Sequence, residues 1–212
     1  MLAWLKLLLN DAPRAESRML RTLLQESPEY PDWSAAVQTV LRRLLQFNRI
    51  KQSIVCKVLD IPVINAFALP HKTIVLSQLI VEFCRNERDQ MAFVLAHEMA
   101  HIHLGHARER ILANGLMTVG PLANPLLGVG LSMLFDRAYS REQEFEADRW
   151  AVRLSARAGY VPSASIALLE RLGRGEAPSN LVAEMLSSHP PMNDRLHYLS
   201  EAIRRCSNSA QF

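Results

Sequence analysis

A ten-residue segment, HEMAHIHLGH at positions 97–106, constrains the fold of this chain more than any other feature. It lies inside the run QMAFVLAHEMAHIHLGHARERI, whose apolar residues recur at helical spacing, so we predict a strong helix here. Helix residues four apart project from one face, so His97 and His101 can share one metal ion. Glu98 lies beside that pair, where its carboxylate can reach a water on the metal. The segment therefore predicts a metal site built on a helix.

Two further histidines belong to the same segment. At about 100° per residue, a continuous helix rotates His103 and His106 from His97 by roughly 240° and 180°. We therefore predict that neither shares the ion, and that each is a surface or hydrogen-bonded core histidine. The elongated motif HExxHxxGxxH would need glycine at 104 and histidine at 107, where this chain has Leu104 and Ala107. A third ligand must come from another part of the chain.

The segment SREQEFEADRWA, positions 140–151, is a candidate source of that third ligand. Glu144 and Asp148 are four residues apart and would share one face of a helix. Glu142 and Glu146 form a competing pair with the same spacing, so geometry alone does not choose between the pairs. A helix with this many charges is also typical of a solvated surface with ion pairs between residues four apart.

The rest of the chain indicates several helices and one small sheet. Helical spacing also appears before the sheet and after the motif, at residues 14–25, 32–48, 137–157, 163–173, 180–187 and after 194. Between residues 50 and 78 the β-branched segments SIVCKVLD, IPVINAF and KTIVLS predict three strands. A turn at LPHK, between the second and third segments, predicts a hairpin.

Composition excludes some classes of function. The net charge is only +3, and the basic residues are scattered among the acidic ones, so we expect no nucleic-acid partner. The cysteines, Cys56, Cys84 and Cys206, are odd in number, lie far apart and have no CxxC spacing. This pattern predicts free thiols, two of them in the core, rather than a disulfide framework or a zinc knuckle.

Four segments occur in the order INAFALP, NERDQMAFVLAHEMAHIHLGH, SREQEFEAD and SHPPMNDR. They resemble motifs of the HtpX-like and CaaX-type zinc peptidases, and the match covers residues 50–205. The soluble or peripheral-membrane branch of that family includes outer-membrane assembly proteases and a mitochondrial inner-membrane stress protease. The resemblance implies an α+β fold: a mainly helical, zincin-like single domain with a small sheet beside the HExxH helix. Residues 50–212 would form the zinc peptidase domain, with residues 1–49 as a helical segment packed on it.

The same resemblance implies a role for individual residues. It makes His97, His101 and Glu144 the ligands of one zinc ion per chain, and Glu98 the general base. Asp148 becomes the carboxylate that orients a ligand histidine. On this interpretation Glu142 and Glu146 lie on a solvated face of the helix.

The last matching segment contributes His189 and Arg195. His189 resembles a family histidine near the zinc, which either stabilises the oxyanion of the reaction or binds the metal as a reversible fourth ligand. The simpler alternative is a loop histidine packed against the two prolines that follow it. For Arg195 we predict a structural salt bridge.

The segment NAFALP resembles the strand that borders the family's active-site cleft. An exposed strand edge can bind an extended peptide as one more strand, through main-chain hydrogen bonds. Asn65 and Ala66 are the candidate substrate-binding residues at that edge. The alternative is an ordinary sheet segment with a capping asparagine.

Residues 111–135 contain no charged side chain, and their length alone could span a membrane. A single crossing would separate His101 from Glu144 by about 30 Å of hydrocarbon, whereas a shared zinc needs both within about 2 Å of the ion. Glycines and prolines also interrupt the stretch. We predict an apolar loop or short helical hairpin that is either a lid or a membrane-surface contact. The segment MLAWLKLLLN at residues 1–10 predicts an amphipathic helix that lies either on protein or on lipid headgroups.

These observations predict a zinc-dependent endopeptidase. The family resemblance alone implies its substrate class, misfolded or misassembled proteins at a membrane, and a peripheral membrane or cell-envelope location. The alternative is an assembly factor or chaperone without catalysis, whose zinc site is structural or self-blocked. The retained Glu98 favours the enzyme, because a purely structural site has no need of that carboxylate.

Overall fold

The computed structural model describes residues 12–84, 87–115, 138–179, 185, 188–189 and 192–209. In these residues the helices are α1 Ala12–Glu26, α2 Pro31–Phe47, α3 Gln78–Phe83, α4 Arg88–His103, α5 His106–Gly115, α6 Arg141–Arg157, α7 Ala164–Gly173 and α8 Met192–Ser209. The strands are β1 Val55–Leu59, β2 Ala66–Ala68 and β3 Thr73–Ser77. The predicted α+β class, mainly helical with a small sheet, is confirmed.

The three strands form one sheet in the order β1-β3-β2. β2 and β3 are antiparallel, with Ala66 opposite Leu76, so the predicted hairpin is confirmed. β1 runs parallel to β3, with Val55 opposite Thr73. β3 is buried along its whole length and leads directly into α3, where the Ser77 hydroxyl accepts a hydrogen bond from the Ile80 N–H. The sheet therefore has one buried central strand and β2 at one edge.

Helix α4, which carries the HExxH motif, is the centre of the fold. Its residues are buried without interruption from Gln90 to Ile102. Its largest helix–helix interface is with α6. Small, fully buried side chains lie on both helices, namely Ala96 and Ala100 on α4 and Ala147 and Ala151 on α6. Side chains this small let two helices approach closely, which sets the histidines of α4 against the carboxylates of α6.

Helix α4 ends earlier than the sequence pattern predicts. It stops at His103, Gly105 takes a positive φ of 83°, and α5 begins at His106. Glycine adopts this left-handed conformation without steric penalty, so it allows a sharp change of direction. The assumption of one continuous helix is wrong at this point, and so is the rotation of His106 calculated from it.

The N-terminal helix α1 packs on the far side of the hairpin. Leu23 lies in a small core with Leu59 and Phe67. The buried Glu16 carboxylate accepts hydrogen bonds from the His71 and Lys72 N–H groups at 2.6 and 2.9 Å, and one from the Thr73 hydroxyl. Helix α2 contributes its apolar face to the main core. The division of the chain at residue 49 stays a prediction.

Some predictions fall outside the described residues. They are the contact segment at residues 1–10, the uncharged stretch from residue 116 onward, and most of the helix at 180–187. Within the described ranges, no helix has the length and apolar character needed to cross a membrane. Cys56 and Cys84 are buried and Cys206 is partly buried, and all three are free thiols, as predicted.

Candidate metal centre

Four buried side chains, His97, His101, Glu144 and His189, each bring one potential ligand atom to within 4.8 Å of the others. The Nε2 atoms of His97 and His101 are 3.1 Å apart. The Glu144 carboxylate lies 3.5 Å from the first and 3.3 Å from the second. Two imidazoles and a carboxylate aimed at one point are a donor set that suits zinc. The residues present therefore fit a metal ion of this kind.

The start of α6 explains why Glu144 reaches the histidines. The Ser140 hydroxyl accepts from the Gln143 N–H, and the Gln143 side chain accepts from the Ser140 N–H, so the helix has a full capping box. Glu144 follows in the first turn, where a negative charge is favoured by the helix dipole. It is fully buried, whereas Glu142 and Glu146 lie toward solvent. The structure thus brings Glu144, and not the competing pair, to the two histidines.

Asp148 and Arg195 support this group from the side of His97. An oxygen of Asp148 lies 3.0 Å from His97 Nδ1. Arg195 donates two hydrogen bonds to the same carboxylate, at 2.8 and 2.7 Å. Its remaining nitrogen is 3.2 Å from the Glu144 carboxylate. With Asp148 facing Nδ1, the Nε2 atom of His97 is directed toward the ligand cluster.

The charges of the cluster suit metal binding. Burial raises the pKa of Glu144, but His189, Arg195 and His97 outweigh it and hold that pKa well below its usual range. Burial lowers the pKa of His97, but Glu144 and Asp148 outweigh it and raise the value to about 9. For His101, burial dominates and lowers the pKa well below its ordinary value. A cation would therefore meet an ionised carboxylate and a neutral imidazole, and would displace one proton from His97.

Tyr139 and His106, which the sequence analysis did not assign to the site, both contact His101. The Tyr139 ring stacks on the imidazole, with centroids 3.6 Å apart and planes 10° apart. The Arg110 guanidinium carbon lies 4.4 Å from the centroid of that tyrosine ring. His106 Nδ1 is 3.1 Å from His101 Nδ1. His103 points away and contacts Trp150 instead, with ring centroids 4.9 Å apart.

Glu98 borders a small cavity next to the cluster. Its carboxylate is buried, and Oε2 has no hydrogen-bond partner in the described part of the chain. Oε1 is 3.8 Å from His189 Nε2. The cavity has a volume of about 30 Å³, enough for roughly one or two water molecules. Its other walls are mostly apolar and include Phe93 and Leu168.

The edge strand β2 lies on the same cavity. Asn65 and Ala66 both line it, and both are buried. The Asn65 amide donates a hydrogen bond to the Ser188 hydroxyl at 3.1 Å. The Ser188 carbonyl accepts one from the Tyr139 N–H at 3.2 Å. These bonds connect the edge strand to the residue that precedes His189 and to the start of α6.

Comparison with known proteins places the chain in a family. Its sequence matches the model of Peptidase family M48 over residues 31–203. It is 30% identical over 187 residues to the Mitochondrial metalloendopeptidase OMA1 of Schizosaccharomyces pombe, covering 82% of this chain and 54% of that protein. It is 30% identical over 202 residues to the Metalloendopeptidase OMA1, mitochondrial, of Homo sapiens, covering 79% of this chain and 37% of that protein.

A bacterial relative shows the same relationship. The Beta-barrel assembly-enhancing protease of Escherichia coli K12 is 31% identical over 151 residues, which cover 63% of this chain and 31% of that protein. The chain thus spans about half the length, or less, of these curated relatives. The family resemblance predicted from the four motifs is confirmed: the chain belongs to peptidase family M48.

Proposed function

We propose that this chain is a zinc endopeptidase. The observation that carries the proposal is the convergence of four ligand atoms within 4.8 Å of one another, with the Glu98 carboxylate beside them. His97, His101 and Glu144 would hold the ion. When bound, zinc supplies Lewis-acid polarisation of the peptide carbonyl and lowers the pKa of a water to about 7.

Glu98 is the proposed general base. It accepts a proton from the attacking water and later donates it to the leaving amine, so that the carboxylate is regenerated. The unpartnered Oε2 supports this role, because a carboxylate oxygen without a hydrogen-bond partner is free to accept a proton. The mostly apolar walls of the adjoining cavity would strengthen the electrostatic interactions beside them.

The proposed substrate is a protein or peptide in an extended conformation. Asn65 and Ala66 stand at the edge strand β2, beside Glu98, so a peptide added to that edge would run past the general base. One relative is named for enhancing β-barrel assembly, and this name supports our proposal that the substrates are misfolded or misassembled, membrane-associated proteins. We therefore also propose a peripheral location at a membrane or cell envelope, with contacts through residues 1–10 and 111–135.

A chelator experiment on casein tests the enzymatic function. We expect cleavage of casein by the purified chain, its loss in 1,10-phenanthroline, and its return when zinc is added in excess. Because the proposed reaction needs the ion held by this ligand group, cleavage should stop when zinc is removed and resume when zinc is added back. Cleavage that continues at full rate after zinc has been removed would contradict the proposal.

A second candidate function is an assembly factor whose metal site is self-blocked, and the position of His189 favours it. His189 Nδ1 is 2.8 Å from the Glu144 carboxylate, inside the ligand group rather than beside it. A zinc site with four protein ligands is closed, whereas a catalytic site keeps one position open. If His189 is the fourth ligand, it has to leave the cluster before the proposed reaction can occur.

The variant His189→Asn separates these two candidates in the same casein assay. We expect faster cleavage than in the wild type, because asparagine is too short to stay among the ligands. If His189 instead stabilises the oxyanion, the rate will fall by about 10²- to 10³-fold. A chain that stays inactive with His189 replaced and zinc bound would support the assembly factor.

A further inference from the structure

We propose that His106 is a positioning residue for His101, holding that ligand by accepting the proton on its Nδ1 atom. The Glu146 carboxylate faces the other ring nitrogen of His106, Nε2, from the solvent side. The inference rests on the proposed function only in taking His101 as a metal ligand. It concerns a histidine that a continuous helix would turn away from the site.

The break between α4 and α5 creates the contact. The helix ends at His103, Gly105 takes a positive φ, and His106 begins the next helix with its side chain next to the helix that has just ended. Its Nδ1 atom comes to 3.1 Å from His101 Nδ1, and both side chains are buried. A buried contact at this distance between two ring nitrogens requires that one of them carries a hydrogen and the other does not.

Metal binding decides which nitrogen carries it. His101 directs Nε2 toward His97 and Glu144, so Nε2 is the atom that would bind the ion. A neutral imidazole has one N–H, and with Nε2 on the ion it must be at Nδ1. In the described part of the chain, His106 Nδ1 is the only hydrogen-bond partner of that atom. His106 Nδ1 therefore accepts a hydrogen bond from the His101 Nδ1–H group.

The same step fixes the state of His106. If its Nδ1 accepts, its own N–H is at Nε2, which faces the Glu146 carboxylate at 3.6 Å. That distance indicates a charge contact that favours this tautomer rather than a full hydrogen bond. Glu146 is partly exposed, so the sequence of contacts runs from the ligand group to the protein surface.

The two ligand histidines are thus supported differently. His97 faces Asp148, a carboxylate that is itself bound by Arg195. His101 faces a neutral imidazole and is covered on one face by the Tyr139 ring. The stacked ring blocks movement out of the plane, while His106 selects the rotation within the plane. Tyr139 and His106 are both needed to keep Nε2 of His101 aimed at the ion. Hydrogen-bond partners of metal ligands generally have this orienting role.

Zinc affinity, measured by competition with a chromophoric chelator, tests the proposal without relying on activity. We expect His106→Leu to weaken zinc binding by about 10- to 100-fold. His106→Asn places an amide oxygen near the position of Nδ1 and should restore most of the affinity. The matched control is His103→Gln, which changes a histidine of the same motif that lies outside the ligand group and should bind zinc like the wild type.

Two further measurements separate positioning from folding. The unfolding midpoint of each metal-free variant reports its stability, and the visible spectrum of the cobalt-loaded form reports the ligand geometry. If His106→Leu is insoluble, Glu146→Ala takes its place, with Glu142→Ala as control. We expect the zinc affinity of Glu146→Ala to fall by less than about 10-fold and that of Glu142→Ala to be unchanged.

The outcomes are distinct from those for the proposed function. If the wild type binds no zinc, the metal site itself is wrong. If the wild type binds zinc and His106→Leu binds it equally well, the role of His106 is wrong. The role of His106 is also wrong if His106→Asn binds zinc as weakly as His106→Leu does. Where the glutamate variants are used instead, it is wrong if Glu146→Ala binds zinc as tightly as Glu142→Ala.

Discussion

Replacing Glu98 with glutamine should lower the rate of casein cleavage by about 10²- to 10⁴-fold while zinc stays bound. Glutamine has nearly the shape of glutamate, but its amide cannot take a proton from water. The three residues that would hold the ion, His97, His101 and Glu144, are untouched, so the variant separates proton transfer from metal binding. The buried Oε2 atom of Glu98, without a partner in the described chain, is the structural basis of this expectation.

The measurement is kcat/KM on a fluorogenic casein, with the zinc content of the same samples. The control is Glu142→Gln, which makes the same chemical change on the exposed surface of α6. Both variants should also be tested in the His189→Asn background, because His189 lies within the ligand group. Cleavage by Glu98→Gln at the wild-type rate would show that this carboxylate is not the base.

Replacing Arg195 with methionine should lower the free energy of unfolding by about 3–5 kcal/mol. The buried guanidinium makes two hydrogen bonds to Asp148 and contacts Glu144 at 3.2 Å. Methionine fills much of the same volume but leaves two buried carboxylates without their shared cation. This loss is large because desolvated charges are costly when one partner is removed.

Urea unfolding of the metal-free protein at pH 7 measures this effect. Arg174→Met is the control, because Arg174 forms an exposed ion pair with Glu170 and should change stability by about 0–1 kcal/mol. The pKa values of Asp148 and Glu144 are lowered in the fold, so their contribution is present above the ordinary carboxyl pKa and is lost as the pH falls. The difference between wild type and Arg195→Met should therefore narrow in acid. An equal effect of the two substitutions at pH 7 would contradict this interpretation.

The spacing of the HExxH motif was enough to place His97, His101 and Glu98 on one helix. It was not enough to choose between Glu144 and Glu142, because both belong to pairs with the same periodicity. The choice depends on which face of α6 packs against α4. The small residues Ala147 and Ala151 lie on the same face as Glu144, so their positions were a usable signal for the buried side.

The contacts of His106 and Tyr139 were harder to predict. Extrapolation of the helix beyond His103 gave the wrong direction for His106, and only the glycine at position 105 hinted at a break. Tyr139 reaches His101 through packing between α6 and α4, which local sequence does not specify. Arg195 is 47 residues from Asp148, and its role as a support for two carboxylates depends on the docking of α8.

Metal analysis of the purified chain tests the central claim, that His97, His101 and Glu144 bind one ion together. We predict one zinc per chain in the wild type after exhaustive dialysis, and almost none in Glu144→Ala that is folded by circular dichroism. Absence of zinc from the wild type, or one zinc retained in Glu144→Ala, would show that these three residues do not form the site.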